Sequence, residues 1–224
     1  MIKLEKTDVY GFEAAIRGMR NPLNSWDKSD SGNPIVEIDC NGDEWFGDFK
    51  MGPNDLGLAR RLAKAGSDHR KFLRQIFVSV DITAPLYWWK EFDTYKVGTV
   101  ANSCSTMHKI HAKKFTFDDF SHEHLHTTLG ESYEAMELLE TIIEMLNRYR
   151  ETYLNTKDKH YWWQMIQLLP SSYNQLRTVT LNYETLLNIY HARKNHKLDE
   201  WHMVCDWIET LPYFKEMCLE GCNE

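Results

Sequence analysis

The chain has 224 residues, of which 42% are hydrophobic and 26% charged, with a formal net charge of −7. These proportions exclude a disordered tail, and the length favours one domain over residues 1–224 with a substantial core. The charged fraction and the lack of an apolar run of about 20 residues exclude a membrane-spanning protein. Because the first residues contain no apolar signal stretch, we expect a cytoplasmic protein, and the acidic balance argues against general nucleic-acid binding.

Turn residues and hydrophobic spacing predict the secondary structure in chain order. A helix over 8–19 comes first, with Thr7 or Asp8 as its cap. Residues 35–39 and 44–49 form a β-hairpin, because the Asn-Gly dipeptide between them is a favoured two-residue turn. The other predicted elements are a helix from Pro53 or Asn54 to Lys64, a short helix over 67–75, a strand over 77–82, a helix opened by Pro85, and helices over 131–154, 157–168, 183–194 and 200–209.

The helix over 131–154 has the clearest amphipathic pattern, with apolar residues at steps of three and four. Its apolar face is wider than a single seam, which predicts burial on two sides and contact with another subunit. The sequence contains no internal repeat and no low-complexity linker. The predicted fold class is therefore α+β, a mostly helical single domain with a small antiparallel sheet.

Two adjacent tryptophan pairs, Trp88-Trp89 and Trp162-Trp163, fall in predicted helices. Neighbours on a helix point about 100° apart, so one ring of each pair is expected in the core and the other at a ligand or subunit. Packing in cores and interfaces explains these rings better than stacking on a ligand. The tryptophan content therefore favours an oligomer.

The cysteines and histidines suggest two possible functional sites, a nucleophile and a metal site. The scattered cysteines indicate reduced thiols, and Cys104 is either a nucleophile or a small buried side chain. His122, His124 and His126 would share one face of a strand, as a metal site requires. A polar segment before a helix is the simpler interpretation, so no metal site is expected. An unrelated helical protein with a metal at these three histidines is the alternative.

The segment that begins at Leu169 carries a family resemblance. Leu169-Pro170, Thr180-x-Asn182 and Arg193 follow one another in an order and spacing that resemble the C-terminal part of the flavin-dependent thymidylate synthases. A preceding long helix that opens with Tyr133-Glu134 also fits. The resemblance covers about residues 55–210, and the N-terminal hairpin has no place in it.

The resemblance implies a fold, a reaction and an assembly. The fold is that of the thymidylate synthases, and the reaction is methyl or one-carbon transfer to the uracil ring of dUMP, a step of nucleotide biosynthesis. It further implies FAD as cofactor, NADPH and methylenetetrahydrofolate as co-substrates, and a homotetramer. No catalytic residue is assigned.

This chain differs most from the family in the family's central signature. That signature is Arg-His-Arg, then Ser, then Asn-x-x-Ser-x-Arg. When Asn102 and Ser105 are aligned with its Asn and second Ser, the Arg-His-Arg positions become Tyr95, Lys96 and Val97. Val100, Met107 and Glu184 stand where the family has, in turn, the first Ser, the last Arg and the Arg after Thr-x-Asn. Since loss of one prealigned donor lowers a rate by about 10²–10³, the resemblance predicts the fold more firmly than the activity.

The helix over 183–194 supplies the main candidate site. Asn182, Leu186, Ile189 and Arg193 form one stripe, in which an amide and a guanidinium bracket two apolar residues. The alternative is that Asn182 is only a helix cap and Arg193 only a favourable cation at a helix end. The resemblance implies that Arg193, Ser105, Asn102 and Lys96 contact the nucleotide and that Asn182 and Asn188 contact FAD.

Two functions follow from these expectations. One is a divergent flavin enzyme that acts on a pyrimidine deoxynucleotide. The other is a catalytically inactive descendant of the same fold, phage-encoded proteins included, that binds a nucleotide or a protein partner.

Overall fold

The computed structural model describes residues 2–125 and 134–220. It confirms the α+β class, with predominantly helical structure and a small antiparallel sheet. The strands are β1 (Lys3–Tyr10), β2 (Ile35–Ile38), β3 (Glu44–Phe46), β4 (Phe77–Pro85), β5 (Val100–Ser103) and β6 (Asn174–Asn182). The helices are α1 (Phe12–Arg20), α2 (Pro53–Lys64), α3 (Leu86–Phe92), α4 (Thr106–Lys109), α5 (Ala135–Thr156), α6 (Lys159–Leu168), α7 (Tyr183–Arg193), α8 (Asp199–Glu209) and α9 (Phe214–Cys218), with a short 3-10 helix at Lys71–Gln75.

Two sheets organise the strands. One has the strand order β1-β4-β6-β5, and the other is the β2-β3 pair. The chain divides into two compact units. The first unit comprises Met1–Glu5, Asp81–Thr94 and Ala101–Val179; the second comprises Lys6–Val80, Tyr95–Val100 and Thr180–Glu224. The expectation of one domain stays a prediction.

The first unit has a core built on α5 and α6. Leu139, Ile143 and Leu146 lie on the inner face of α5 and pack with Met165 of α6. Apolar residues at steps of three and four bring these side chains to one face of the helix. The α3 tryptophans are both buried in this unit, Trp88 and Trp89 being 0% and 1% exposed. The expectation that one ring of each tryptophan pair points outward is thus wrong for this pair, whereas Trp163 is 43% exposed.

In the second unit, a buried carboxylate fastens the segment that precedes the hairpin. Asp55 of α2 accepts hydrogen bonds from Arg20 Nε at 2.5 Å, Ser29 Oγ at 2.8 Å and Ser31 Oγ at 2.7 Å. Burial alone would raise the pKa of Asp55, but the hydrogen bonds from Ser31, Ser29 and Arg20 outweigh it and keep the pKa below its ordinary value. Asp55 therefore stays ionised and holds α1, α2 and the chain between them together.

The hairpin prediction is confirmed by β2 and β3, which pair antiparallel. Gly42 in the connecting turn has φ of 89°, a left-handed conformation that glycine adopts without strain. Among the described residues, every helix is too short or too polar to cross a lipid bilayer.

The helix predicted over 8–19 is wrong at its start, because residues 8–10 belong to β1 and the helix begins at Phe12. Gly11 has φ of 98°, and a Cβ on it would lie 2.2 Å from the Gln75 carbonyl oxygen. The chain therefore breaks at Gly11 rather than at Thr7 or Asp8. The short helix predicted over 67–75 is reduced to the 3-10 helix at Lys71–Gln75, and β6 and β5 were not predicted at all.

Candidate functional site

The start of α7 is held by Asn182. Its Oδ1 accepts hydrogen bonds from the Thr185 backbone N–H at 3.0 Å and from Thr185 Oγ1 at 3.2 Å. Asn182 is buried, and its carboxamide oxygen serves as the N-cap that satisfies the first turn of the helix. The helix-cap alternative therefore describes what this side chain does within the fold, and its contact with FAD stays a prediction.

The chain between Tyr95 and Val100 packs against this capped end of α7. The single Thr185 hydroxyl proton is shared between two acceptors, because Oγ1 lies 3.0 Å from the Val97 carbonyl oxygen and 3.2 Å from Asn182 Oδ1. Gly98 has φ of 71°, and a Cβ there would lie 2.5 Å from Asn182 Nδ2. The close approach of this loop to Asn182 thus requires glycine. Lys96, next in sequence to Val97, has an exposed side chain.

The far end of α7 presents Arg193 between two aromatic rings. Its Nε donates a hydrogen bond to Tyr95 Oη at 2.9 Å. Its Cζ lies 4.7 Å from the ring centroid of Trp201, which is fully buried, and 5.6 Å from that of Tyr95. Aromatic faces attract a guanidinium and fix its plane. Arg193 is therefore a cation whose orientation is fixed by its neighbours. Lys96 follows Tyr95 directly in the same loop.

Asn188 lies on a different face of α7 with a cluster of ionic groups. Arg70 binds Glu184 through Nε, 3.2 Å from Oε1, and donates from Nη2 to Asn188 Oδ1 at 3.1 Å. Arg74 binds the second oxygen of the same carboxylate through its own Nε. Burial alone would raise the pKa of Glu184, but the hydrogen bonds and charges of Arg74 and Arg70 keep it below its ordinary value. Glu184 is thus an ionised acid that bridges two arginines.

A cavity of about 600 Å³ opens in the second unit beside the segment that carries Arg70. His69 and Lys71, the sequence neighbours of Arg70, line it together with Met19, Leu62 and Phe72. Apolar walls with a few polar groups, in a space of this size, are typical of small-molecule sites.

Asn102 and Ser105, the other predicted nucleotide contacts, belong to the first unit. Asn102 is exposed on β5, and Ser105 caps the short α4 by accepting a hydrogen bond from the His108 backbone N–H at 3.0 Å. Between them in sequence, Cys104 is exposed and receives a hydrogen bond on its carbonyl oxygen from Gln175 Nε2 at 2.8 Å. The six predicted site residues therefore fall in two groups. The second unit contains four of them, on α7 or on the segments next to it: Lys96, Asn182, Asn188 and Arg193. Asn102 and Ser105 lie on the β5–α4 segment of the first unit.

The histidine alternative rests on His122, His124 and His126. His122 Nδ1 contacts the Phe120 carbonyl oxygen at 2.9 Å, and His126 lies outside the described residues. Within residues 2–125 and 134–220, no group of three or more His, Cys, Asp or Glu side chains is placed to hold a metal ion.

Sequence reasoning missed Arg70 and Arg74 as part of the site. The available signal was Glu184, an acid in the first turn of the predicted helix over 183–194, since a carboxylate that becomes buried requires a cationic partner.

Solved structures with this fold cover nearly the whole chain. Flavin-dependent thymidylate synthase ThyX from Helicobacter pylori, complexed with FAD and dUMP, matches with a TM-score of 0.65 and 15% identity over 99% of this chain and 100% of that one. The UMP/dUMP methylase PolB from Streptomyces cacaoi, bound with 5-Br UMP, matches with a TM-score of 0.60 and 14% identity over 97% of this chain and 91% of that one. No protein-family model and no curated protein sequence matches the chain significantly. The chain therefore has the fold of the flavin-dependent thymidylate synthases, as the resemblance implied.

Proposed function

We propose that the chain binds a pyrimidine deoxynucleotide of the dUMP type together with FAD, as a divergent flavin-dependent thymidylate synthase-like protein. The observation that carries this proposal is the likeness of fold, over the full length of both chains, to a structure complexed with FAD and dUMP. The four predicted contacts gathered around α7 support it. Both ligands carry phosphate, and arginines with oriented planes are the side chains best suited to hold it.

The residues around α7 suit two parts of such ligands. Arg193, held by Tyr95 and Trp201, is a cation of defined plane whose charge suits a phosphate or the negative charge that develops on a uracil ring. Lys96 adds an exposed cation on the adjoining loop. FAD, when bound, supplies the hydride of the reaction that the resemblance implies, with NADPH and methylenetetrahydrofolate as co-substrates. Methyl transfer to the uracil ring is the reaction that this proposal assigns to the chain.

A catalytically inactive descendant of the fold is the second candidate, and the 95–97 loop favours it. Where the family signature has Arg-His-Arg, this chain has Tyr95, Lys96 and Val97, of which Tyr95 and the Val97 carbonyl oxygen are engaged in holding α7. Such a protein would bind a nucleotide or a protein without turnover. Incubation of the flavin-loaded protein with dUMP, methylenetetrahydrofolate and NADPH separates the two: formation of dTMP supports the enzyme, and binding without dTMP supports the descendant.

We further propose a cytoplasmic homo-oligomer, a tetramer as the resemblance implies. Large apolar side chains on the hairpin support this assembly, since Val36, Trp45 and Phe46 are 65%, 62% and 60% exposed. Exposed apolar clusters of this kind are typical of protein interfaces. Light scattering on the eluate of a sizing column measures the oligomeric state directly.

A further inference from the structure

The hairpin, made of β2, β3 and the turn between them, is exposed on both of its faces. Every residue of the two strands is exposed, including the apolar side chains of Ile35 and Phe46, which are paired across the strands. A two-stranded hairpin is marginally stable by itself, and large apolar side chains exposed together are typical of a binding surface. A partner surface that covers these side chains would therefore stabilise the hairpin.

The base of the hairpin is fixed to the rest of the second unit. Backbone hydrogen bonds join Gly32 and Lys50 in both directions, over 3.0 Å and 2.8 Å. The Asp30 carboxylate accepts hydrogen bonds from the backbone N–H groups of Asn54 and Asp55 at the start of α2, at 2.9 Å and 3.1 Å. A fixed base reduces the conformational entropy that the hairpin loses when a partner binds it.

The hairpin is also strongly acidic. Residues 35–48 contain no lysine or arginine. Their five acids are Glu37, Asp39, Asp43, Glu44 and Asp48. Asp39 accepts hydrogen bonds from the backbone N–H groups of Asn41 and Asp43, both at 2.8 Å, and thereby holds the turn. Glu37 and Glu44 are exposed on the strands, beside the apolar side chains. A surface that suits the hairpin must therefore combine apolar area with positive charge.

A surface of this kind lies in the first unit, where α5 is followed by α6. Lys159 Nζ lies 5.9 Å from the ring centroids of both Trp162 and Trp163. Lys157 Nζ lies 6.0 Å from the ring centroid of Tyr153. Both lysines and Trp163 are exposed. These five side chains form the elbow of the first unit, a surface on which cations lie against aromatic rings.

The segment that contains α4 extends the elbow surface. Trp162 Nε1 donates a hydrogen bond to the Met107 carbonyl oxygen at 3.1 Å. The ring centroid of His111 lies 5.0 Å from that of Tyr153. Lys109 falls between Met107 and His111 in sequence and is exposed. This segment therefore adds a third lysine beside the elbow.

The charge of the elbow surface is positive. Residues 105–117 contain no aspartate or glutamate. Asp158, between the two elbow lysines in sequence, accepts a hydrogen bond from the His160 backbone N–H at 2.9 Å as the N-cap of α6. Lys109, Lys157 and Lys159 thus outnumber the acid that lies among them in sequence.

We propose that the hairpin of one chain docks on the elbow of a second copy of this chain. The two surfaces have opposite charges, and each places aromatic rings beside its charges, as interfaces with an aromatic centre and a polar rim do. Every copy carries both surfaces, so two chains can exchange hairpins. The proposal rests on the homo-oligomer of the proposed function and assigns two surfaces that meet in it. Because the hairpin has no place in the family resemblance, the resemblance does not imply this contact.

A charge-exchange experiment on the full chain tests the contact. One variant reverses the hairpin with Glu37→Lys and Glu44→Lys, and the other reverses the elbow with Lys157→Glu and Lys159→Glu. Each variant alone presents like charges on both surfaces, so its self-association constant is expected to fall by about tenfold or more. An equimolar mixture of the two variants pairs opposite charges again. The mixture is therefore expected to regain the wild-type mass, measured by light scattering.

The control for reversed charge is Lys64→Glu combined with Lys197→Glu, at exposed positions outside both surfaces, and it is expected to associate like the wild type. All substituted residues are exposed, so the thermal midpoints are expected to stay near that of the wild type. If both reversed variants keep the wild-type mass, or if their mixture stays as small as its parts, the contact is overturned while the proposed oligomer stands. If the wild type is a monomer, the contact and the oligomer are both overturned, and the binding of FAD and dUMP is decided separately by titration.

Discussion

Arg193 at the end of α7 donates a hydrogen bond from Nε to the phenolic oxygen of Tyr95, over 2.9 Å. When Asn102 and Ser105 are aligned with the family signature, Tyr95 falls at the first of its Arg-His-Arg positions. In this chain that position orients an arginine that comes from another element. The candidate site therefore contains an arginine with a defined plane.

The first prediction concerns that arginine. Arg193→Lys retains the charge but loses the planar fork and most of the stacking on Trp201, so the affinity for dUMP is expected to fall about tenfold or more. Titration calorimetry measures the change, with Arg61→Lys as a control on an exposed face of α2. Equal dUMP affinities of wild type and Arg193→Lys would remove Arg193 from the nucleotide site.

The second prediction concerns pH and Glu184. Glu184→Gln is expected to lower the free energy of unfolding by about 1–2 kcal/mol at neutral pH, because two arginines lose their ionised partner. Since the folded pKa of Glu184 lies below its ordinary value of 4.5, this contribution is present above pH 4.5 and is lost as the pH falls through the folded value. Urea unfolding of both proteins at several pH values measures it. A difference that stays constant down to acidic pH would contradict the ion pair.

A third prediction tests the approach of the 95–100 loop to α7. Gly98→Ala forces a side chain into a left-handed conformation and against Asn182, and the thermal midpoint is expected to drop by several degrees, for a cost of about 1–2 kcal/mol. Gly32→Ala is the control, because a Cβ there meets nothing within 4 Å. If the two alanine variants melt alike, the loop does not pack on the cap of α7 as described.

The buried carboxylate of α2 leads to a fourth prediction. Asp55→Asn leaves Arg20 without its charged partner and breaks the hydrogen-bond set with Ser29 and Ser31, so the free energy of unfolding is expected to fall by about 3 kcal/mol. Denaturant titration followed by tryptophan fluorescence gives this value. Asp27→Asn, at an exposed position in the same region, is expected to leave it nearly unchanged.

The fifth prediction concerns assembly through the hairpin. Replacing Trp45 and Phe46 together by Ser removes two of its large exposed rings and is expected to shift the mass measured by light scattering towards a smaller species. Leu23→Ser, at a residue that is 81% exposed outside the hairpin, is the control. A wild-type monomer, or an unchanged oligomer in the double variant, would rule out the hairpin as the interface.

The elements that sequence predicts well are those with local signals. The Asn-Gly turn marked the hairpin, Pro53 marked the start of α2, and a three-four spacing marked α5. The predicted start of that helix is wrong, because Glu134 has an extended backbone and caps a helix that begins at Ala135; residues 131–133 lie outside the described part of the chain. β1 and β6 were missed because their polar and β-branched residues form a weak alternation, and a strand in a sheet is decided by its neighbours.

In the candidate site, too, residues with a local sequence signal could be predicted, and residues that depend on long-range contacts could not. The spacing of Asn182, Asn188 and Arg193 was readable because all three belong to one helix and its cap. Arg70 and Arg74 were not, since their role depends on meeting Glu184 across more than 100 residues of chain, 114 and 110 positions away. Such a contact exists only after folding.

The central claim is that this chain binds flavin and a uracil nucleotide. The direct test is the thermal unfolding midpoint of the purified full chain, alone and with FAD and dUMP, alongside its absorbance spectrum. Binding to the folded state must raise the midpoint, so we expect an upward shift of several degrees with both ligands present, and the bands of oxidised flavin retained after desalting. A colourless protein whose midpoint moves with neither ligand would contradict the claim.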